Sequence, residues 1–171
     1  MTDKELQWLY EQASHMDSIV EIGSWKGRST HALLSGCKGI VTAVDHFKGS
    51  LAELETTHLE AKDSDIHAEF LSNVGSFDNL KVIKTDSLSA SLRFGNYSVD
   101  MVFIDGDHTI SGIMVDLLMW LPIAKKLICG HDWNFVAPTL SILQKRYPGS
   151  FWESFDISKG RQVDGIWSFE L

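Results

Sequence analysis

Cysteine is scarce in this chain: only Cys37 and Cys129 occur among 171 residues. Two such residues give neither a disulfide framework nor the spacing of a thiolate metal site, and they fit a reducing, cytoplasmic compartment. Positive charge is also short. Fifteen Lys and Arg against 23 Asp and Glu leave a net charge of −8 and a pI near 5.2. No basic field therefore exists to concentrate polyanions, so nucleic acid is not an expected partner, although a small charged substrate remains allowed. No apolar run approaches the ~20 residues of a membrane helix. The opening "MTDKELQWLY" is acidic and amphipathic, unlike a signal peptide. Repeats, low-complexity tracts and linkers are missing as well. What is present is ordinary globular material, 44% hydrophobic and 22% charged. The expectation is one domain over residues 1–171 with one good core and no membrane partner. Homo-oligomerisation stays open.

The pattern along the chain is alternating. Thr2 with Glu5 forms a capping box ahead of Leu6, Leu9, Tyr10 and Ala13 at helical spacing. "SIVEIGS" reads as a buried strand, and a helix from Arg28 to Ser35 is stopped by Gly36. "IVTAVDHF", "KVIKTDS", "VDMVFIDGD" and "KLICGHDW" are further strands. Between them lie "IHAEFLSNV" and the amphipathic run Ile110, Ile113, Met114, Leu117, Leu118, Leu121, ended by Pro122. "VAPTLSILQKRY" is the last long helix. "FWESFDIS" and "DGIWSFEL" read as two closing strands joined antiparallel by the short link "KGRQV". The acidic stretch from Glu53 to Asp65 is either a solvated face or a flap. The fold expected is a doubly wound, Rossmann-like α/β sheet of seven strands with the last antiparallel, and "DGIWSFEL" inserted between its partner and strand 5.

On such a sheet, ligands sit beyond the carboxyl ends of the strands. Those ends are Gly23, Asp45, Asp86, Asp105 and Asp132. The loop after the first strand is G-x-x-x-G, lacking both the G-x-G-x-x-G of a dinucleotide site and the lysine of a phosphate loop. It suits a ligand with a ribose and an amino-acid tail but no pyrophosphate. Gly23 lets the backbone turn sharply, and Gly27 lets the ligand or the next helix come close. Asp45, at the end of the next strand, is placed to accept both ribose hydroxyls.

"VEIGSWKGRST", "TAVDHFKG", "KTDSL", "FIDGDHT" and "ICGHDW", taken in order, resemble a class I S-adenosylmethionine-dependent methyltransferase. The resemblance is to the small group similar to macrocin O-methyltransferase and, more distantly, to catechol O-methyltransferase. It implies that S-adenosylmethionine is bound by Glu21, Gly23, Ser24, Trp25, Gly27 and Ser29 of the loop region. Asp45 would take the ribose, with His46 or Phe47 flanking the adenine. Asp86 and Ser87 would face the adenine edge, and Asp105 would lie below the reacting centre. Asp86 has a second reading, as the N-cap of the next helix.

In the catechol-type enzymes a divalent cation activates the acceptor. The corresponding ligands here would be Asp105 and Asp132, with His131 or Asn134 as a third, suited to Mg²⁺ or Mn²⁺. A base stands just after the first metal aspartate in that group. Asp107 and His108 occupy those positions, and His108 is preferred because an unperturbed imidazole titrates near ~6.5. His108 also has the plainer reading of a helix cap. The chain reads "HDW" where the catechol-type site has Asp-Asn, and it lacks that group's longer N-terminal helices. The activity implied is metal-assisted O-methylation of a small hydroxylated acceptor. The alternative is a non-catalytic S-adenosylmethionine-binding sensor or assembly partner, which has no reason to keep Asp105, His108 and Asp132 together. A nicotinamide dehydrogenase would need the missing G-x-G-x-x-G. A metal phosphohydrolase reading of His131–Asp132 would need that pair on a helix. His15, His31, His58 and His67 read as surface or packing residues.

Overall fold

Alternate residues of the central strands feed two cores, one on each face of the sheet, as the two-residue side-chain period of a strand requires. The computed structural model describes residues 1–50 and 57–171. The first part of the acidic stretch, 53–56, lies outside the described residues, as does the His58 side chain. Its remainder enters a short helix.

The helices are α1 (Asp3–Ala13), α2 (Arg28–Gly36), α3 (Thr57–Asp63), α4 (Ile66–Val74), α5 (Ser87–Ser91), α6 (Ile110–Trp120), α7 (Trp133–Arg146) and α8 (Ile157–Gly160). The strands are β1 (Ser18–Ile22), β2 (Ile40–Asp45), β3 (Leu80–Lys84), β4 (Val99–Ile104), β5 (Ala124–Gly130) and β6 (Trp167–Glu170). Strand order is β3-β2-β1-β4-β5-β6, parallel throughout except for β6, which runs antiparallel to β5. Val20 and Ile22 of β1, Val102 and Ile104 of β4 and Ile128 of β5 pack against α6 and α7 through Leu117, Trp120, Val136 and Leu140. Ile19, Met101, Phe103 and Leu127 face the other way, onto Leu9, Leu33 and Phe70 of α1, α2 and α4. All of β4 is buried, which explains its unbroken apolar reading.

The doubly wound architecture and its antiparallel last strand agree with the sequence pattern. The strand count is six among the described residues, not seven. Phe151–Ser154, read above as part of a strand, is a 3₁₀ turn. In a strand, Trp152 and Phe155 would point to opposite faces. In the turn both are buried on one side, with ring centroids 6.2 Å apart, and Phe155 meets Phe169 of β6 at 4.9 Å. The Gln144 amide of α7 donates to the carbonyls of Trp152 and Phe155 at 3.0 and 2.9 Å, satisfying oxygens that a strand partner would otherwise take. β6 is consequently the sheet edge beside β5 and is not inserted. Gly36 differs too. It is the last helical residue, and its bare backbone serves the approach of α1, since a Cβ there would lie 2.4 Å from the Tyr10 carbonyl. Among the described residues no helix is long and apolar enough to cross a membrane.

Trp167 holds β6 to the sheet. Its side chain is 1% exposed and its indole N–H donates to the His131 carbonyl at 2.8 Å. Trp167→Ala should cost about 3–5 kcal/mol, as for other buried aromatic truncations. Urea denaturation measures this, and a loss under about 1 kcal/mol would mean that β6 contributes little to the fold.

Candidate functional site

The sheet splits at the switch point between β1 and β4, whose connections leave in opposite directions. A cavity of about 690 Å³ opens there, above the carboxyl ends of β1 to β4. That volume is within the range of small-molecule sites.

Its floor depends on Gly23. This residue has φ of 84°, and a Cβ on it would stand 2.1 Å from the Asp105 carbonyl oxygen. The chain then turns through Trp25, itself at φ 46°, and Gly27 at φ 87° before α2 begins. Gly27 is walled off from the cavity. A Cβ there would meet Phe70 and Val74 of α4 at 3.2 Å, so its role is the close approach of a helix. Asp45 ties the loop down: Oδ2 accepts the Trp25 N–H at 2.7 Å and Oδ1 the Phe47 N–H at 2.6 Å. Each oxygen keeps a second lone pair, and Asp45 lines the cavity. His46 lines it as well. Phe47 is buried against His67 and Phe70, away from the cavity wall.

Glu21 lies behind the loop, fully buried. Burial pushes its carboxyl up to about 7, moderated by the hydroxyls of Ser29, Thr30 and Ser24 and reinforced by Asp105. The Thr30 hydroxyl donates to Oε2. Oε1 and the buried Ser24 hydroxyl have no hydrogen-bond partner among the described residues. Ser24, Trp25 and Ser29 all border the cavity.

At the β3 end, Asp86 caps α5 by accepting the Ser89 N–H at 2.8 Å, and it also lines the cavity. The N-cap reading of Asp86 is thus the one the geometry shows. Beside it Ser87 accepts the Trp120 indole N–H at 2.7 Å and donates to Asp116. Asp116 was not singled out from sequence. It is 4% exposed, and burial raises its carboxyl to about 6, an effect reduced by Ser87 and increased by Asp107.

The ends of β4 and β5 gather the remaining candidates. His108 Nε2 lies 2.9 Å from Asp132 Oδ2 and 3.7 Å from Asp105 Oδ1. His131 Nδ1 lies 3.2 Å from the same Asp132 oxygen and 3.8 Å from Asp105 Oδ1. The His108 ring stacks on Phe135, 5.9 Å between centroids and nearly parallel. Asp132 adopts a left-handed conformation, φ 58°, at the start of α7. Asp105 and His108 reach the main cavity, while His131 and Asp132 border a small void beneath it that Asp105 and His108 also share.

Glu5 of α1 completes this cluster, a contribution the capping box had concealed. Its carboxylate accepts the Thr2 N–H at 2.6 Å and the Gly165 N–H at 2.8 Å, and lies 3.0 Å from His131 Nε2. Asp107 borders the same cavities but makes no ion pair with these rings among the described residues. Its carboxylate accepts the backbone N–H and hydroxyl of Thr109 at 2.9 and 3.0 Å, a turn that starts α6.

Such neighbours move the imidazoles far from the ~6.5 expected of a free side chain. The carboxylates of Asp105 and Asp132, against some desolvation, raise His108 to about 10. His131 rises to about 9, chiefly through Asp132. Burial acts to raise Asp132, but the two imidazoles outweigh it and hold the carboxyl well below the usual range. With no cation bound, this environment favours the charged form of His108 over the neutral base of the sequence expectation. Asp105, Asp132 and His131 each offer one ligand atom, all within 4.8 Å of one another. Two carboxylate oxygens and one imidazole fit a hard divalent cation in donor type and spacing. Asn134 is exposed.

A family model described as a methyltransferase domain matches residues 20–133. No curated protein matches the chain in sequence. Among solved structures, the cofactor-bound protein Rv0187 from MTB is similar over 87% of this chain and 71% of its own, at 18% identity and a TM-score of 0.63. The O-methyltransferase TomG from Streptomyces achromogenes, involved in tomaymycin synthesis and solved with SAM, matches 98% of this chain and 79% of its own (16% identity, TM-score 0.57). An O-methyltransferase from Bacillus cereus in complex with SAH matches 88% and 64% (18% identity, TM-score 0.56).

The cluster has a definite pH signature. A histidine whose folded pKa exceeds its unfolded value of ~6.5 stabilises fully below that value and loses the effect as pH rises through the folded pKa. The depressed Asp132 stabilises above ~4 and fails as pH falls below that. The ring signals of His108 and His131 should therefore stay those of imidazolium from pH 6 to 8 in NMR titrations. The melting-temperature gap between the wild type and His108→Gln should shrink as pH climbs from 6.5 to 10. Ring signals titrating near pH 6.5 would show that the cluster does not hold these protons.

Proposed function

The chain belongs to the methyltransferase-domain family, and on that premise we propose that it transfers the methyl group of S-adenosylmethionine to the hydroxyl oxygen of a small molecule. One observation carries this reading. A single cavity runs from the Asp45-braced glycine loop to the Asp105–His108 pair, with room for a cofactor and a small acceptor. The O-methyltransferases of similar fold solved with SAM or SAH support the same choice of cofactor. A non-catalytic binder gains no comparable support.

In this reading the whole chain forms one domain. The free lone pairs of Asp45 accept the ribose hydroxyls. The turn held by Asp45 leaves Gly23 bare beneath the cofactor, so that its amino-acid end can approach Ser24 and Ser29 closely. Glu21 stands behind these groups and braces α2 through Thr30. His46 flanks the base, and Asp86 and Ser87 border its edge.

Methyl transfer is an in-line displacement. The acceptor oxygen attacks the methyl carbon, the carbon–sulfur bond breaks, and the hydroxyl proton must leave. With the Asp107 carboxylate engaged by Thr109, His108 is the group placed to take that proton, and Asp132 orients its ring. His108 must first surrender the proton it holds between the two carboxylates. Asp105, Asp132 and, once it has released its own proton, His131 are the residues that would hold Mg²⁺ or Mn²⁺, which would polarise an acceptor hydroxyl and neutralise the charge that keeps His108 protonated. His131, held by Glu5, keeps its Nδ1 toward the carboxylates. Phe135 shields the His108 ring from solvent on one face.

Calorimetry with S-adenosylhomocysteine tests the cofactor reading. Binding in the micromolar range is expected, and Asp45→Ala should weaken it by about 1–3 kcal/mol, the cost of losing a charged hydrogen-bond partner. A folded sample that binds nothing would remove the methyltransferase reading. For the metal, titration with Mn²⁺ should give one site in the wild type and none in Asp105→Asn. Turnover on an acceptor, once found, should fall with EDTA and return with Mg²⁺ or Mn²⁺. Asp105→Asn should lose turnover more than affinity for the cofactor. If EDTA leaves turnover intact, the cation has no role and the carboxylates serve His108 alone.

A further inference from the structure

Asp116 is a buried acid for which the proposed chemistry has no use. It interrupts the apolar face of α6 between Ile113 and Leu117, is 4% exposed, and borders the cavity where α5 and α6 diverge. A carboxylate in such a place is costly unless its oxygens are satisfied. One of them is. The Trp120 indole N–H can only donate, and it donates to Ser87 Oγ at 2.7 Å. The Ser87 hydroxyl proton is thereby directed to Asp116 Oδ1. Trp120 and Ser87 together fix the carboxylate and leave Oδ2 for another donor. Among the described residues no hydrogen bond reaches Oδ2. It lies against Gly106, where a Cβ would stand 3.5 Å away, and Gly106 is itself a cavity residue.

The surroundings define the donor. Leu88 of α5 and Val115 of α6 line the same end of the cavity, two apolar side chains suited to a flat ring. Asp86, the other acid at this end, is exposed and engaged as a helix cap. We propose that Asp116 reads the base of the bound cofactor, its Oδ2 accepting a hydrogen bond from the exocyclic amine of a 6-aminopurine seated between Leu88 and Val115. The assignment rests on the S-adenosylmethionine reading above and adds a residue that determines which base is accepted. A 6-oxopurine would bring a carbonyl oxygen against the carboxylate, where neither group can donate. A site built to accept an N–H rejects analogues lacking it, because its own buried acceptor is then left unpaired.

The experiment is calorimetric titration of S-adenosylhomocysteine and S-inosylhomocysteine into the wild type and Asp116→Asn, with circular dichroism to verify folding. The wild type should favour the adenosyl ligand by about 10- to 100-fold, the range for one hydrogen bond to a charged group. In Asp116→Asn the ratio should collapse toward one or invert, because an amide rotated to present its NH₂ can donate to the 6-oxo group. The wild-type comparison stands alone if the variant fails to fold. Equal binding of the two ligands by the wild type, or an unchanged ratio in a folded Asp116→Asn, would overturn the assignment while leaving the cofactor reading intact. Binding of neither ligand by the wild type would overturn both.

Discussion

No side chain fits at residue 23, because β1 and β4 lie side by side and the chain leaving β1 must pass directly over the carbonyl of Asp105. That contact continues the ladder. The Asp105 N–H still donates to the Ile22 carbonyl at 2.8 Å, and the Gly23 N–H donates to Val44 at 2.9 Å. The tips of three strands are thereby held together before the connections diverge. A Cβ at 23 would have to part β1 from β4, and the floor of the cavity would go with it. Everything above the sheet inherits this register. It sets where Asp45 can reach the loop, where Asp105 stands relative to His108, and how far β5 carries Asp132.

The acids around the cavity are accommodated locally, each by a different means. Asp45 is met by two backbone N–H groups. Glu21 is pushed up to about 7 by burial. Asp116 accepts a hydrogen bond from a serine hydroxyl, and Asp105 and Asp132 face two imidazoles. The chain's net charge of −8 therefore says little about the field inside the cavity. Each carboxylate costs desolvation energy, and each arrangement offsets only part of it. Groups so poised answer strongly to a ligand that supplies a donor or a positive charge, and the sulfonium of the proposed cofactor would supply the latter.

The sheet and the strand-end acids were legible in the sequence because both follow from short-range pattern. Alternation of strand and helix dictates parallel pairing, and a carboxylate at the end of an apolar run marks itself. Three features were not legible, and a fourth was visible without being recognised. Phe151–Ser154 carries strand-like aromatics, but whether they alternate or cluster depends on α7 offering Gln144. Glu5 satisfied a capping box, and its reach to His131 spans 126 residues. The acid at 116 was visible as a break in an apolar helix face, a signal that could have been used. The His108 pKa could not be guessed, since it depends on Asp132 arriving from another strand.

The division between what was and was not legible follows the division of the site itself. The Asp45 end comes from consecutive elements, β1 through β2, and falls within the stretch matched by the family model. The Asp105–His108 end is a composite. Glu5 enters from α1, Asp105 to Asp132 from the matched stretch, and Gly165 and Trp167 from the β6 edge, with the first and last lying outside residues 20–133. The Gly165 N–H binds Glu5 while its carbonyl receives the Trp133 N–H at 3.0 Å, so one residue of the β6 approach fixes both α1 and the start of α7. A methyltransferase that keeps one cofactor but changes acceptors would vary in this composite end. Its Glu5 and β6 segments lie outside the β1–β4 contact and can shift without breaking it, whereas Asp105 and the Asp45 end cannot.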